Sequence, residues 1–404
     1  MRSTDLLVVG AGPFGLALAA QAGHQGVPHL VVGRPMSFWQ QQMPAGMLLR
    51  SVSDWHLDVQ GVATIEAFLA TRGLTPTEAE PLTRELYLDY CAWFAAEKRI
   101  VADPQHVLRL DDNADGGFRA TLEDGSEIAA RAVVLALGMG PHRRTPAELV
   151  ALLPPGSWRH TCDAVDLAGA RDRRYLLVGG RQSAFEWAAL LAEAGARQVD
   201  VVHRHDSPAF AAADWTWVTP LVDRLATDPG WFSRLSPAEQ EGFRVRLWAE
   251  GRLKVEPWLA DRLPPDTVRV RPRTSLAGAR LEADGSVSVD LDNGDCVVVD
   301  EVLLATGYLP HVDDLQLLRA GTLPPLAHHD GIPDLDDGFQ TSVPGLYVTS
   351  LPAAGHFGPF FGFTIGTRMS AAVITRAVLD RLDGRQAVPS PRPEPSDTQA
   401  VADS

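Results

Sequence analysis

Cysteine is scarce in this chain, and its scarcity excludes two kinds of protein. Cys91, Cys162 and Cys296 are an odd number of cysteines spread over the whole sequence. This spacing excludes a disulfide framework and a Cys-x-x-Cys redox pair. A hydrophobic core therefore has to stabilise the fold, and 45% hydrophobic residues over 404 positions are enough for two domains.

Excess positive charge and long apolar runs are also missing. Lys and Arg total 36 against 51 Asp and Glu, which gives a net charge of -15, and no basic cluster stands out. These features argue against nucleic acid and anionic membrane surfaces as partners. No apolar run is long enough to span a bilayer. The opening MRSTDLLVVG shows no secretory signal, so the expected localisation is cytoplasmic.

A glycine pattern near the N-terminus predicts a dinucleotide site. The stretch DLLVVGAGPFGLALAAQ reads as an apolar strand, then Gly10-x-Gly12-x-x-Gly15, then an Ala- and Leu-rich helix. In this context Gly10 permits the tight turn, Gly12 lets the backbone approach a pyrophosphate, and Gly15 lets the helix pack closely on the strand. An acidic residue that would bind the ribose is absent, because Gly33 and Arg34 stand in its place. This departure leaves the predicted pyrophosphate contacts untouched.

A second turn of the same kind lies in the middle of the chain. RRYLLVGGRQSAFEWAALLAEAG again reads as strand, turn and helix, with Gly179 in the first glycine position, Arg181 in the second and Ala184 in the third. After the same interval, each turn is followed by a polar hairpin and a buried strand that ends in ALG or ATG. The repetition predicts two copies of one parallel-sheet architecture and two nucleotide sites.

Arg181 leaves three alternatives open for the second turn. Its side chain turns outward and the nucleotide lies slightly further away, or the site no longer binds a nucleotide, or the guanidinium adds contacts to a phosphate. Arg204 stands at the end of the next strand, between His203 and His205. NADP-dependent enzymes place a cation there against the 2′-phosphate, so Arg204 favours NADPH and argues against a decayed site.

These two turns, the sequence LLATGY and the stretch GGRQSAFE resemble the two-dinucleotide-binding-domain flavoproteins, within them the flavin-containing monooxygenase and N-hydroxylating monooxygenase group. The resemblance implies an α/β fold with two Rossmann-like dinucleotide-binding domains, in which an NADPH domain is inserted in an FAD domain. The predicted limits are 1–168 and 301–383 for the FAD domain and 169–300 for the NADPH domain. A Trp-rich helical insertion at about 206–265 and a disordered tail at 384–404 complete this prediction.

The resemblance also implies an activity, that of a monooxygenase which uses FAD and NADPH. NADPH reduces FAD, molecular oxygen adds at flavin C4a, and a dry pocket preserves the (hydro)peroxyflavin until a small nucleophilic substrate attacks it. The expected substrate carries a nitrogen or sulfur centre. Baeyer-Villiger oxygenation of a ketone, an NADPH oxidase and a flavin-binding regulatory protein stay open as alternatives, as does a homo-oligomer. This chemistry needs no metal.

The resemblance places residues 37–58 across the flavin ring, and a late Gly- and Phe-rich loop before a helix whose N-terminus faces the flavin N1 and C2 carbonyl. Arg50 and His56 are the catalytic candidates, and satisfied polar neighbours in a packed core are the alternative. The predicted cofactor-binding residues are Gly10, Gly12, Pro13, Gly15, Trp39, Met47, Leu49, Arg50, Gly179, Gly180, Arg181, Gln182, Ser183, Arg204, Thr306, Gly307, Phe357 and Gly358.

Two further features leave alternatives open. PPGSWRHTCD has Gly156 and His160 of a Phe-x-Gly-x-x-x-His family pattern, but Pro154 stands in the Phe position. The alternative for this stretch is an interdomain linker with an exposed His160. The predicted insertion has large apolar groups that cover a substrate, form a subunit interface or pack in a local helical core. These groups are Trp215, Trp217, Trp231, Trp248 and Trp258.

Overall fold

The computed structural model describes residues 1–113 and 116–385. The strands are β1 (Arg2–Val9), β2 (His29–Val32), β3 (Ala102–Asp103), β4 (Val107–Asp112), β5 (Phe118–Leu122), β6 (Glu127–Leu135), β7 (Trp158–His160), β8 (Arg174–Val178), β9 (Gln198–His203), β10 (Ala209–Phe210), β11 (Lys254–Val255), β12 (Val268–Pro272), β13 (Leu276–Leu281), β14 (Val287–Leu291), β15 (Cys296–Val299), β16 (Glu301–Leu304), β17 (His328–His329), β18 (Ile332–Pro333) and β19 (Leu346–Val348).

The α-helices are α1 (Pro13–His24), α2 (Ser37–Gln41), α3 (Ile65–Thr71), α4 (Pro76–Ala79), α5 (Arg84–Glu97), α6 (Ala147–Val150), α7 (Gln182–Glu193), α8 (Thr219–Thr227), α9 (Pro237–Leu247), α10 (Gln316–Arg319), α11 (Ala354–Phe357) and α12 (Gly366–Leu382). Short 3-10 helices lie at Gly140–His142, Thr161–Asp163, Pro257–Arg262, Val312–Asp314, Leu351–Ala353 and Pro359–Gly362, and Trp248–Arg252 form a π-helical turn.

The first sheet has the order β3-β2-β1-β6-β5-β4, and β19 joins it through β6. Strand β1 pairs in parallel with both β2 and β6, which aligns Val9 with Val32 on one side and with Leu135 on the other. Strands β4 and β5 form the expected hairpin that returns the chain to β6. The second half of β1 is completely buried, as is typical of a central parallel strand covered on both faces.

The second sheet is entirely parallel, in the order β12-β9-β8-β16-β7. The second predicted hairpin is β14-β15, part of the antiparallel sheet β13-β14-β15 that lies between β12 and β16 in the chain. All strands of the second sheet lie between β6 and β19 in the sequence. The predicted α/β class is therefore confirmed, with one Rossmann-like sheet inserted in the other.

The second sheet includes two strands that lie outside the range predicted for the NADPH domain. Strands β7 and β16 lie outside the predicted range 169–300, yet both pair in the second sheet. The reason is the internal repeat itself: β16 stands next to β8 as β6 stands next to β1. The second sheet therefore draws on residues 158–304, and the limits of the domains as folding units stay a prediction.

The predicted insertion at 206–265 contains α8, α9, the π-helical turn and the small parallel pair β10-β11. Helix α8 packs against α12, and α12 packs closely against α1, so the insertion reaches the first domain. No helix of the residues that the structure describes is long and apolar enough to cross a membrane. Residues 386–404 of the predicted tail lie outside the described residues.

Candidate active site

The first glycine turn joins β1 to α1 and has the geometry of a phosphate cradle. Gly10 has a φ of 114°, and a Cβ added there would lie 2.3 Å from the Ala136 carbonyl oxygen. A Cβ on Gly15 would lie 1.9 Å from the Gly10 oxygen, so the fold itself requires both glycines. A Cβ on Gly12 would meet nothing within 4 Å. The open space at Gly12, in front of the N-terminus of α1, fits the pyrophosphate of a dinucleotide.

The missing ribose carboxylate has a structural explanation. Gly33 follows β2 with a φ of 150°, and an added Cβ would lie 2.9 Å from the Ala11 nitrogen, inside the turn. An acidic side chain at this position would therefore displace the turn. Arg34 lies at the surface and forms an ion pair with Glu123 at 3.2 Å, so its guanidinium is neither simply solvated nor free for a phosphate.

The second turn repeats the backbone of the first. Gly179 has a φ of 151°, and an added Cβ would lie 2.5 Å from the Ala305 oxygen, which matches the relation of Gly10 to Ala136. Arg181 precedes α7 with φ −115° and ψ 178°, and Gly12 precedes α1 with φ −85° and ψ −171°. Both are extended conformations that any residue adopts. Arg181 thus fits the turn without strain, and glycine there matters only for the room it leaves.

The side chain of Arg181 lies against the insertion. Its Cζ is 3.8 Å from the ring centroid of Trp248, and its Nη1 donates to the Arg252 carbonyl oxygen at 3.1 Å. Burial, and secondly the charge of Arg252, lower the pKa of Arg181 to about 10. The guanidinium of Arg181 is therefore held beside the turn, and the three alternatives from the sequence stay open.

Basic groups at the end of β9 flank the second turn. His203 and His205 stack with their centroids 4.4 Å apart, and the His203 ring packs on the backbone of Gly180. Burial, and then the charge of His205, lower the pKa of His203. Arg204 is exposed between them and has no recorded ion-pair or hydrogen-bond partner in the part of the chain that the structure describes. Its guanidinium is therefore available to a ligand in the position that the sequence predicted.

The 37–58 segment is anchored by Arg84, whose Nη1 donates to the Met43 oxygen at 2.6 Å. Trp39 contacts the ring of Tyr87 of α5 with a centroid distance of 4.7 Å. Leu49 is buried in the core of the first domain, whereas Met47 is buried in the core of the second, in one cluster with Trp187 and Leu190 of α7. The segment therefore joins the two domains.

Arg50 connects the 37–58 segment to the far end of the insertion. Its Nε donates to Oε1 of the buried Glu256 at 2.7 Å, and its Cζ lies 5.4 Å from the Trp215 ring centroid. The Nη2 of Arg50 is buried and has no hydrogen-bond partner among the residues that the structure describes. The Glu256 N–H in turn donates to Oε1 of Gln182 at 3.0 Å, in the first turn of α7. Arg50 is thus close to the second turn.

His56 is paired with Arg368 of α12. The His56 Nε2 lies 2.5 Å from Nη1 of Arg368. Since arginine has donors only, Nε2 accepts this hydrogen bond, and Nδ1 lies 3.2 Å from the backbone N–H of Asp58, which donates to it. Burial, and secondly the Arg368 charge, lower the pKa of His56 to about 4. His56 is therefore neutral at pH 7 and orients Arg368; it has no proton to give from Nε2.

A cavity of about 420 Å³ lies beside this pair, between the 37–58 segment, α8 and α12. Its ionisable lining groups are Asp54, His56, Asp58, Asp223 and Arg368. Its apolar walls are Val59, Val222, Ala226, Ile365, Met369 and Ala372. Asp58 accepts from Nζ of Lys98 at 2.6 Å, which satisfies the most buried carboxylate. The cavity combines apolar walls with a few polar groups, the usual character of a small-molecule site.

The late loop has become part of the core. Phe357 is fully buried and stacks on Phe339 with a centroid distance of 3.7 Å. Gly358 has a φ of 103°, and an added Cβ would touch the rings of Phe232 and Phe360. Phe357 thus packs on Phe339, and Gly358 lies against two other aromatic rings. The cofactor roles of Phe357 and Gly358 stay predictions. Thr306 and Gly307 hold residue 144 by hydrogen bonds to its backbone.

The tryptophans of the insertion have different environments. Trp215 packs edge-on against Trp55 at 5.7 Å and contacts Phe363 at 5.3 Å, so it closes over the first domain. Trp231 packs inside the insertion. Trp258 donates to the buried Glu186 of α7 at 3.2 Å. The insertion therefore packs partly in a core of its own and partly against both domains.

Sequence reasoning missed three groups at this site, namely Arg252, Glu256 and Arg368. Each lies far along the chain from the group it contacts. The clustering of tryptophans was the one sequence signal that pointed to the insertion. His160 of the partial motif is buried, and its Nδ1 lies 3.0 Å from the Cys162 sulfur, so it is not an exposed linker residue.

This chain is similar to known proteins in its sequence and in its fold. A family model described as pyridine nucleotide-disulphide oxidoreductase matches residues 7–226. An FAD-dependent urate hydroxylase from Xanthomonas campestris pv. campestris is 24% identical, covering 95% of this chain and 87% of that protein. The ornithine N-hydroxylase of Kutzneria sp. 744, solved with reduced FAD, NADP⁺ and L-ornithine, has a TM-score of 0.77 at 17% identity, covering 94% of this chain and 100% of that chain. The ornithine hydroxylase of Pseudomonas aeruginosa has a TM-score of 0.72 at 20% identity with the same coverage, 94% and 100%. At these identities the two structures share the fold of this chain.

Proposed function

Because the chain belongs to the pyridine nucleotide-disulphide oxidoreductase family, we propose that it is an FAD- and NADPH-dependent monooxygenase that oxygenates a small nucleophilic substrate at a nitrogen or sulfur centre. The observation that carries the proposal is the pair of glycine turns, each at the carboxyl end of a parallel strand in its own sheet. Such turns bind dinucleotides. Two of them in one chain bring a hydride donor and a flavin together.

The first turn is the FAD site in this proposal. Gly10, Gly12 and Gly15 shape the cradle, and Pro13 fixes the first helical residue without losing a needed N–H group. Trp39, Met47, Leu49 and Arg50 lie on the segment assigned to the flavin ring. Thr306, Gly307, Phe357 and Gly358 are the remaining proposed cofactor contacts.

The second turn is the NADPH site. Gly179, Gly180 and Arg181 form the turn, and the N-terminus of α7 with Gln182 and the exposed Ser183 faces the coenzyme. Arg204 recognises the 2′-phosphate. Its exposed guanidinium has no recorded ion-pair partner in the described residues, which supports this role.

Bound FAD supplies the redox chemistry, which is acceptance of hydride from NADPH and activation of molecular oxygen. The chain itself orients the partners and excludes water. Trp55, Trp215 and Phe363 form an apolar wall beside Arg50 that keeps water from the space between the domains. The neighbouring cavity is the proposed substrate site, and His56 holds the Arg368 guanidinium within it.

Disulfide chemistry, which the family description also includes, has little support in this chain. Cys91 lies in α5, Cys162 in the 3-10 helix after β7 and Cys296 in β15. A thiol relay needs two neighbouring cysteines, one of them with a lowered pKa. Burial instead raises the pKa of Cys91 and of Cys162.

The proposal is tested by mixing the FAD-loaded protein with NADPH without oxygen. Loss of the oxidised flavin absorbance is expected. An unchanged spectrum of a protein with tightly bound FAD would indicate that the protein is a non-catalytic flavoprotein. Amines, thioethers and ketones are then screened in air for product formed per NADPH consumed. Turnover of ketones alone would indicate Baeyer-Villiger chemistry, and hydrogen peroxide without product would indicate an NADPH oxidase.

A further inference from the structure

Three arginines form a row between the 37–58 segment and the second turn. We call Arg50, Arg252 and Arg181 the arginine row. Arg181 lies 3.8 Å and Arg252 5.3 Å from the ring centroid of Trp248, measured from their Cζ atoms. Arg50 lies against Trp215, whose ring also packs on Gly251, the residue before Arg252. The row therefore runs along the insertion and connects the 37–58 segment to the second turn.

The charge of the row is not balanced by the described residues. Glu256 is ion-paired with Arg50, and neither Arg181 nor Arg252 has a carboxylate within ion-pair distance in the parts of the chain that the structure describes. Burial, and secondly the charge of Arg50, lower the pKa of Arg252. Partly buried cations that repel each other are costly unless a counter-charge is supplied. The row has a surplus of two positive charges.

The surplus is located where a dinucleotide pyrophosphate would lie. Arg181 caps α7, whose N-terminal N–H groups point to the bound phosphates in Rossmann sites. The coenzyme must then extend from this turn toward the flavin, and Arg50 marks that direction because it lies on the segment assigned to the flavin ring. A pyrophosphate has two negative charges and oxygens that accept from guanidinium forks.

We propose that Arg181 and Arg252, held by Trp248, bind the pyrophosphate of NADPH and replace the close backbone approach that glycine gives in other turns. This inference rests on the proposed function, since it assigns the same nucleotide site. Arg181 uses one N–H group on the Arg252 carbonyl, which holds both arginines in place, and its other donors have no hydrogen-bond partner among the described residues and can bind the ligand. Trp248 restricts both side chains and lowers the entropy lost on binding.

The test uses the FAD-loaded protein with Arg252→Gln, and Arg246→Gln as its matched control. Arg246 belongs to the same insertion and also stacks on a tryptophan, with its Cζ 4.3 Å from the Trp217 ring, but it is not part of the row. Isothermal titration calorimetry measures the affinity for NADP⁺ and for inorganic pyrophosphate. Arg252→Gln is expected to weaken both by about tenfold to hundredfold, and Arg246→Gln to change neither.

A second variant separates binding from a structural role. Arg252→Lys keeps the charge without the planar fork, so it should recover part of the affinity and of its salt dependence. The melting temperature and flavin content of each variant identify misfolding. Unchanged binding of NADP⁺ and pyrophosphate by folded Arg252→Gln would overturn the inference, as would equal losses in Arg252→Gln and Arg252→Lys.

Failure of the inference differs from failure of the proposed function. If NADPH reduces the wild-type flavin while Arg252→Gln binds NADP⁺ as tightly as wild type, the proposed arginine site is wrong and the proposed monooxygenase function is unaffected. In the opposite case the wild type binds NADP⁺ and pyrophosphate and Arg252→Gln does not, yet NADPH fails to reduce the wild-type flavin. This result would support the arginine site and contradict the proposed monooxygenase function.

Discussion

The two glycine turns of this molecule share a backbone and differ in side-chain chemistry. Gly10 and Gly179 lie in the same relation to a neighbouring strand, where an added Cβ would approach a carbonyl oxygen to 2.3 and 2.5 Å. Gly12 faces open space, and Arg181 fills the equivalent position in the same extended conformation. The glycine fingerprint therefore combines positions that the fold requires with one position that only the ligand requires.

The second turn shows how the fold accommodates an arginine at the glycine position that faces the ligand. An arginine in front of the phosphates would obstruct the site if its side chain were mobile. Here Trp248 and the Arg252 carbonyl hold the guanidinium to one side. The insertion that carries both residues contacts the second domain at the start of α7.

The largest expected effect comes from Gly10→Ala. The residue would have a strained positive φ, and its Cβ would clash with backbone. We expect the free energy of unfolding to fall by about 3 kcal/mol and FAD binding to be lost. Thermal unfolding of the flavin-free protein and FAD titration measure the two effects.

Gly12→Ala is the matched control for Gly10→Ala. Its Cβ meets nothing within 4 Å, and the backbone is extended. The free energy of unfolding should change by less than about 0.5 kcal/mol. FAD should bind more weakly, because the methyl group occupies the space next to the pyrophosphate. Equal stability losses in the two variants would show that the distinction between fold and ligand glycines is incorrect.

Arg204→Ser is expected to have the next largest effect. Loss of the guanidinium should raise the KM for NADPH by about tenfold to hundredfold, since a charge-assisted hydrogen bond to the 2′-phosphate disappears. NADH lacks that phosphate, so its KM should stay unchanged. Flavin reduction rates with the two coenzymes measure this ratio, and a similar rise for both would place Arg204 outside the 2′-phosphate site.

Arg181→Gly restores the standard glycine pattern to the second turn. Because the extended backbone suits glycine equally well, the fold should be kept. We expect the affinity for NADP⁺ to fall by about tenfold, since one of the two paired cations is removed. Tighter binding of NADP⁺ by this variant would instead show that the guanidinium obstructs the site.

Local patterns in the sequence were enough to predict the frame of the molecule. A strand that ends in glycine before an apolar helix is a local signal, and it occurs twice with the same spacing to ALG and ATG. The fold class follows from that repetition and is confirmed. The limits of the second sheet were harder to place, because β7 is a strand of three residues with no distinctive pattern.

Contacts between distant parts of the chain were beyond sequence reasoning. Glu256 and Arg50 are both charged residues in unremarkable surroundings, and nothing local shows that they form an ion pair. The location of a hydrophobic residue is ambiguous for a different reason. Phe357 is of a residue type that often lines pockets, but it stacks on Phe339 in the core. A phenylalanine contributes the same apolar area in either place.

The smallest expected effect distinguishes the two regions by the pH dependence of stability. His56 in the first region and His203 in the second are both buried neutral, with the pKa of His56 lowered from 6.5 to about 4 and that of His203 lowered by burial. Between pH 6.5 and about 4 the unfolded chain binds a proton at position 56 that the folded chain does not, so folding stability is lost as the pH falls through this window. His56→Gln keeps an acceptor for Arg368 and should reduce the loss of melting temperature between pH 7 and pH 5 by a few degrees. His203→Gln should reduce it less, and the opposite order would show that the second region contains the more strongly perturbed histidine.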